Sequence, residues 1–296
     1  MHARVLRADL LLLLTAAIWG SGFVAQRLGM ESIGPMLYSA LRFALGGLVV
    51  LPLALRADPR PSARPLAPRA ALGAALLAGL VLFGGVTLQQ IGLQYTSIAN
   101  AGFITGLYVV LVPLLGLLTG QRAPAVVWIG AGLAVIGLFL LSVRGDFTVA
   151  AGDWLQLAGA LCWAVHVLLI DALAPRTHAL CLACRQFFAC AAASLIAALL
   201  FEPIEWAGIV AAAPAIAWGG LLSVGTGYTL QVIAQQDAPA AHAALLMSLE
   251  AVFAALAGWW WLGEGLDARA LAGCTLMLAG MLLAQGLAGG GRPAGG

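Results

Sequence analysis

Long apolar stretches separated by short polar breaks run through the whole sequence. About 20 mainly apolar residues suffice for a helix to cross about 30 Å of hydrocarbon, because each residue of a helix rises about 1.5 Å. Ten stretches meet this requirement, at residues 8–25, 35–55, 70–89, 98–118, 125–143, 154–172, 180–200, 213–234, 241–262 and 268–287. The pattern therefore predicts an all-α integral membrane protein with ten transmembrane helices.

Composition excludes a water-soluble globular protein. Of 296 residues, 62% are hydrophobic and 9% are charged, whereas soluble domains carry roughly 25% charged residues. The 14 basic residues are all arginines, the net charge is only +2 and no basic run occurs, so we expect no nucleic-acid partner. The breaks between the apolar stretches are too short for a separate soluble domain, and the glycine-rich tail at 289–296 is predicted to be disordered.

The arginines predict how the chain is oriented. If the N-terminus is cytoplasmic, nine arginines fall in cytoplasmic segments and three in external loops, which is a positive-inside distribution. The nine are Arg4, Arg7, Arg56, Arg60, Arg64, Arg69, Arg122, Arg176 and Arg292, and the three are Arg27, Arg144 and Arg269. Both termini are therefore expected in the cytoplasm, since ten crossings return the chain to the side on which it began.

The second half of the sequence resembles the first at a shift of about 143 residues. Three matches carry the comparison: Thr87–Gln89 with Thr229–Gln231, Arg42 with Arg185, and Trp19 with Trp163. Five crossings in each half is an odd number, so the second half would enter the membrane from the opposite side. The sequence thus predicts two inverted five-helix repeats, at 1–147 and 148–288, an arrangement that places binding sites near the bilayer midplane in secondary transporters.

Three charged residues fall inside predicted spans and need an explanation. Arg42, Arg185 and Glu250 would each cost about 2.5–3.5 kcal/mol at the centre of a lipid-facing helix, so each is expected to face the bundle interior or a wet cavity. A structural role in ion pairs or at helix ends is one interpretation. The other is functional: an arginine fork suits a carboxylate or phosphate, and a buried carboxyl group at Glu250 suits proton or cation coupling.

Aromatic and polar residues inside the spans are candidates for lining a cavity. The mid-depth candidates are Trp19, Tyr108, Trp163 and His166, and those nearer the helix ends are Gln89, Asn100, Gln231 and His242. Apolar clefts with a few polar groups are the usual form of a small-molecule site. Packing in the core and satisfaction of backbone groups are the alternative roles.

Other motifs favour transport without a cofactor. Pro113 is expected to bend the fourth helix, in a static kink or a gating element. The string His178, Cys181 and Cys184 lacks a fourth ligand, so no metal site is predicted. No phosphate-binding loop is present, which argues against an ATP-driven pump, and no cofactor is expected.

Four stretches of the chain resemble the EamA-type, ten-helix branch of the drug/metabolite transporter superfamily. They are AAIWGSGFVAQR at 16–27, SALRFALGGL at 39–48, GLQYTSIANAGFITGLYVVLVPLLG at 92–116 and SLEAVFAALAGWWWLGE at 248–264. The resemblance implies two EamA repeats, a cell inner-membrane location and export of small metabolites. The sequence departs from the family pattern at Ala251, where a proline is usual, and at Gln121, where an acid is common.

The sequence thus favours a secondary transporter, an exporter of small organic metabolites such as amino acids, that works by alternating access. Its partners are a small-molecule substrate and the lipid bilayer, while proton or ion coupling and the choice between monomer and homodimer stay open. A flippase of a lipid-linked substrate is the first alternative. An intramembrane enzyme is the second, with Ser21 and His166 as its only candidate residues.

Overall fold

The computed structural model describes residues 2–57, 65–96, 98–143, 150–262 and 267–288, and these residues form helices and turns without a strand. The α-helices are α1 (His2–Met30), α2 (Pro35–Leu55), α3 (Pro68–Gly92), α4 (Ile98–Gly106), α5 (Tyr108–Leu118), α6 (Ala125–Ser142), α7 (Ala151–Leu173), α8 (Ala179–Phe201), α9 (Trp206–Ala217), α10 (Thr229–Ala234), α11 (Ala240–Met247), α12 (Glu250–Leu262) and α13 (Ala268–Ala288). A 3₁₀ turn, Ala174–Arg176, follows α7, and a π-helix, Trp218–Tyr228, joins α9 to α10. The predicted disordered tail at 289–296 and part of the loop after α2 lie outside the described residues.

Every predicted apolar stretch coincides with helix. In the described ranges, eight helical segments are long and apolar enough to cross a membrane, and two shorter apolar segments, Ala240–Leu256 and Ala268–Ala284, complete the series. The structure therefore confirms an all-helical, multi-pass membrane protein. The count of ten crossings stays a prediction.

The outer surface of the helices is apolar. Large hydrophobic side chains are exposed on most helices, including Leu118 at 82%, Leu55 at 77% and Phe201 at 74% exposure. A soluble monomer rarely exposes a contiguous apolar area of this kind. This surface is instead suited to contact with lipid chains.

Two of the predicted membrane helices are interrupted near their middle. The fourth stretch breaks at Leu107, between α4 and α5, and the ninth breaks at Ser248 and Leu249, between α11 and α12. Pro113 lies inside α5, six residues after the first break. No proline lies at the second break, where the Ser248 hydroxyl donates to the carbonyl of Leu245 at 2.8 Å.

Close helix packing depends on glycine at one long interface. Helix α6 packs along α13, where Gly137 lies against the backbone of Gly273 and Gly130 against that of Gly280. Small residues allow membrane helices to approach closely and to gain van der Waals contact over their whole length. The other main contacts join α2 to α8, α3 to α7, and α1 to the π-helix and α12.

Two large apolar clusters fill the interior, and two tryptophans lie between them. One cluster centres on α1, α5, α11 and α12, and the other on α2, α3, α8 and the π-helix. Trp19 and Trp163 contact both clusters and are only partly buried. A cavity is found at this boundary.

Packing at the α6–α13 interface leads to a stability prediction. A Cβ atom at Gly137 would lie 2.6 Å from the carbonyl oxygen of Gly273 and 2.6 Å from Cγ of Met277, whereas nothing lies within 4 Å of a Cβ at Gly132 on the same helix. We expect Gly137→Leu to lower the free energy of unfolding by about 1–3 kcal/mol through overpacking. Gly132→Leu should leave it nearly unchanged. Thermal unfolding of the two variants in detergent would measure this, and equal midpoints would contradict the assignment of the interface.

Candidate functional site

A central cavity is lined by residues from both halves of the chain. Its volume is about 50 Å³. The lining residues are Trp19, Phe23, Gln26, Arg42, Gln89, Thr105, Tyr108, Trp163, His166, Val167, Ser223, Tyr228, Gln231, Met247 and Glu250. Eight of the residues singled out in the sequence thus lie around one space.

The cavity lies at both helix interruptions. Tyr108 is the first residue of α5 and Glu250 is the first residue of α12, and both line the cavity. These positions are related by the repeat shift of 142 residues. Interrupted helices at corresponding positions of two halves are the usual location of a transporter binding site.

Tyr228 is the centre of an aromatic cluster that forms one wall. Its ring centroid lies 4.5 Å from that of Trp19, 5.8 Å from Phe43 and 6.2 Å from Trp163. Tilted and offset pairs at such distances are favourable. The cluster therefore forms a rigid apolar wall.

Polar side chains within the wall are held by hydrogen bonds. The Trp163 indole N–H donates to Oε1 of Gln89 at 3.1 Å, and the Trp19 indole N–H donates to the carbonyl of Ser223 at 3.2 Å. Nε2 of His166 lies 2.9 Å from Oε1 of Gln186. These bonds fix the orientation of three of the candidate cavity residues.

Arg42 and Glu250 bring a basic and an acidic side chain to the same cavity. Both are buried, at 3% and 8% exposure. No salt bridge joins either of them to another of the described residues, and Nε of Arg42 has no hydrogen-bond partner there. The Arg42 guanidinium lies over the rings of Tyr38 and Phe43, at 5.4 and 5.0 Å, so aromatic faces supply part of its stabilisation.

Three predicted site residues with described side chains do not line the cavity. His242 contacts Asp9 instead, with Nε2 2.7 Å from the carboxylate oxygen. Arg185 is exposed on α8, contrary to the expectation that its charge faces the bundle interior, because a long arginine side chain can extend its head along the surface toward water. Pro113 is buried inside α5 but does not line the cavity. The side chain of Asn100 lies outside the described residues.

Sequence reasoning missed several lining residues, above all Tyr228, Thr105 and Gln26. Tyr228 and Thr105 each lie three residues before a predicted cavity residue, Gln231 and Tyr108 respectively. Residues three apart share a helix face, and this spacing was the available signal. Among the described residues, no group of three or more His, Cys, Asp or Glu side chains could hold a metal ion.

The molecule is thus a bundle of apolar helices around a central cavity that aromatic and polar side chains line. The model of the EamA-like transporter family matches residues 6–143 and again residues 150–285. The chain therefore belongs to the EamA-like transporter family.

Relatives and solved structures agree with this assignment. The chain is 31% identical over 155 residues to the uncharacterized inner membrane transporter YedA of Escherichia coli K12, covering 50% of this chain but only about half (47%) of that relative. It is 32% identical over 290 residues to the threonine/homoserine exporter RhtA of Salmonella typhimurium LT2, covering 92% of this chain and 88% of that protein. A crystal structure of a protein 22% identical has a TM-score of 0.78 over 95% of this chain and 97% of its own, which shows the shared fold.

The Asp9–His242 contact leads to a prediction about stability. Asp9→Leu or His242→Leu alone leaves a buried polar partner behind, which is costly, whereas the double variant removes both groups. We expect the double variant to be less destabilised than the sum of the single variants, by about 0.5–3 kcal/mol. Thermal unfolding of all four proteins in detergent gives this coupling energy, and strictly additive effects would show that the contact contributes nothing.

Proposed function

We propose that this protein is a secondary transporter that exports a small zwitterionic metabolite, of the amino-acid class, by alternating access. One observation carries the proposal: Arg42 and Glu250 face the same cavity, and no salt bridge joins either to another described residue. Two buried charges without partners are costly in a membrane. A substrate that carries both a carboxylate and an ammonium group would neutralise both at once.

Each charge suits one end of such a substrate. The arginine fork binds a carboxylate through two parallel hydrogen bonds, and the Glu250 carboxylate accepts hydrogen bonds from an ammonium group. Tyr108, with a buried hydroxyl that has no partner among the described residues, and Gln231 can bind a further polar group of the substrate.

Cavity size limits the substrate to small molecules. A cavity of about 50 Å³ suits a small amino acid better than a bulky one, and a larger substrate would require the wall to move. The name of RhtA, a threonine/homoserine exporter, supports small hydroxylated amino acids as the first compounds to test here. Membership in a transporter family also supports transport rather than catalysis.

The proposed architecture is two inverted five-helix repeats, at 1–147 and 148–288, with ten crossings and cytoplasmic termini. Equivalent helices make equivalent contacts: α1 packs on the π-helix and α12, and α7 packs on α3 and α5. The two matches of the family model support the same division. The arginine distribution supports the orientation, and the likeness to an inner membrane transporter supports placement in the cell inner membrane.

The first test is counterflow of labelled L-threonine in proteoliposomes, with two competitors that each lack one charge. 1-Amino-2-propanol lacks the carboxylate and 3-hydroxybutyrate lacks the ammonium group.

For Arg42→Gln we expect threonine to bind about 10- to 150-fold more weakly, because a lost charged hydrogen bond costs about 1.5–3 kcal/mol. Binding of 1-amino-2-propanol should be unaffected. Arg185→Gln, at the equivalent repeat position but exposed, should behave as wild type. Flux of a wider amino-acid panel through wild type and Arg42→Gln at equal rates would refute the proposal.

A second test asks whether Glu250 couples transport to protons. If the carboxyl group exchanges a proton for the substrate's ammonium group, an imposed pH gradient should drive threonine accumulation in wild type. Glu250→Gln should abolish accumulation driven by the pH gradient. Accumulation at the wild-type level in a folded Glu250→Gln variant would instead make this residue a structural or binding group.

A further inference from the structure

A tryptophan in each half of the chain packs against a glycine, and a glutamine follows that glycine one turn later. Trp163 on α7 lies against Gly85 of α3, with ring atoms 3.3 Å from the position of a glycine Cβ, and Gln89 follows one turn later. Trp19 on α1 lies against Gly227, with Nε1 2.6 Å from the equivalent position, and Gln231 follows one turn later. Gly85 and Gln89 correspond to Gly227 and Gln231 at the same shift of 142 residues.

Only one of the two equivalent hydrogen bonds is formed. Trp163 donates to Gln89, but Trp19 donates to the backbone of Ser223, one turn before Gly227. Oε1 of Gln231 is left without a partner among the described residues, although Gln231 is only 1% exposed and lines the cavity. An unsatisfied buried acceptor costs about 1–3 kcal/mol, so this atom needs an explanation.

The orientation of the Gln231 amide is fixed by its neighbours. Nε2 of Gln235 donates to the carbonyl of Val167 at 2.9 Å, so Oε1 of Gln235 must be the atom that accepts from Nε2 of Gln231 at 3.0 Å. Oε1 of Gln231 is therefore the free atom, and it can only accept a hydrogen bond. The indole N–H, which can only donate, is its complement.

We propose that Gln231 is a positioning residue that accepts a hydrogen bond from the Trp19 indole N–H in the opposite-facing state of the transporter. In the same transition, the hydrogen bond from Trp163 to Gln89 breaks. The inference rests on the proposed transport by alternating access. In inverted repeats the two halves exchange their arrangements, and the observed state has one Trp–Gln bond closed and the other open. The exchange keeps the number of Trp–Gln bonds constant, so these bonds by themselves favour neither state.

The local backbone permits this movement of Trp19. Gly227 presents no side chain between Ser223 and Gln231, so the indole can pass along this face of the helix. The π-helix Trp218–Tyr228 occupies a region where α3, its counterpart, is regular α-helix. Since a π-helix turns more slowly per residue, it rotates Gln231 relative to Trp19, which accounts for the bond that is missing here. π-helical segments are frequent at functional sites.

The test measures which state is populated, without any substrate. A reporter cysteine replaces Ala238, which is 5% exposed and packs in the cluster around α1 and α11, at the end of the bundle where Asp9 meets His242. The background has its five native cysteines replaced and is first shown to keep its flux. In detergent, Gln89→Met removes the bond of the observed state, and we expect maleimide labelling at position 238 to rise by roughly 2- to 10-fold, as for one hydrogen bond. Gln231→Met removes the acceptor of the other state, and labelling should fall.

Two matched controls isolate the acceptor atoms. Gln90→Met changes the neighbouring buried glutamine, whose amide has no partner among the described residues, and should not shift labelling. Gln235→Met removes the inter-glutamine bond but keeps Oε1 of Gln231, and it should not lower labelling. If Gln89→Met does not fold, Trp163→Phe removes the same bond through its donor; if Gln231→Met does not fold, Gln231→Leu takes its place.

Shifts in the same direction for Gln89→Met and Gln231→Met, or no shift beyond that of Gln90→Met, would overturn the proposal. The result is independent of the transported compound. Opposite shifts together with failed threonine counterflow would retain the Trp–Gln exchange and reject the proposed substrate. Threonine counterflow without opposite shifts would retain the proposed substrate and reject the Trp–Gln exchange.

Discussion

Hydrocarbon offers no hydrogen-bond partner, and this constraint determines where the polar groups of the chain lie. Lipid-facing positions are filled by leucine, valine, isoleucine and aromatic residues, while polar side chains turn inward and bond to backbone or to one another. Glu202 shows the rule at a helix end: its carboxylate accepts the backbone N–H groups of Met36 and Leu37 at 2.7 and 2.8 Å. Against that background, Arg42, Tyr108 and Gln231 each bring to the cavity a buried polar atom that has no partner among the described residues.

Much of the fold was predictable because one physical variable, apolar length, controls it. The ends of α2 coincide with the predicted boundaries, and the other predicted stretches also fall on helices. Cavity residues such as Trp19, Arg42, Tyr108 and Glu250 were predictable because polar or aromatic groups at mid-depth have few other places to lie. Trp19 and Trp163, which the sequence repeat relates, both line the cavity.

Sequence reasoning could not predict which side of a helix faces the interior of the bundle. Arg42 and Arg185 are equivalent in the repeat, yet one lies over aromatic rings beside the cavity and the other is exposed. His242 contacts Asp9, 233 residues away in the chain, and no local pattern predicts such a pair. The helix breaks before Glu250 although alanine, not proline, follows it at position 251. The π-helix has no sequence signature that we can identify.

The glycine contacts between α6 and α13 have a mechanical consequence. Backbones in mutual contact at two levels, around Gly130 and Gly137, leave little space between the two helices to absorb a displacement, so this pair resists bending. Motion must then be concentrated in the elements around the cavity, where interrupted helices and a π-helix offer softer backbone. In the proposed transport cycle, this helix pair would keep its arrangement while the elements around the cavity move.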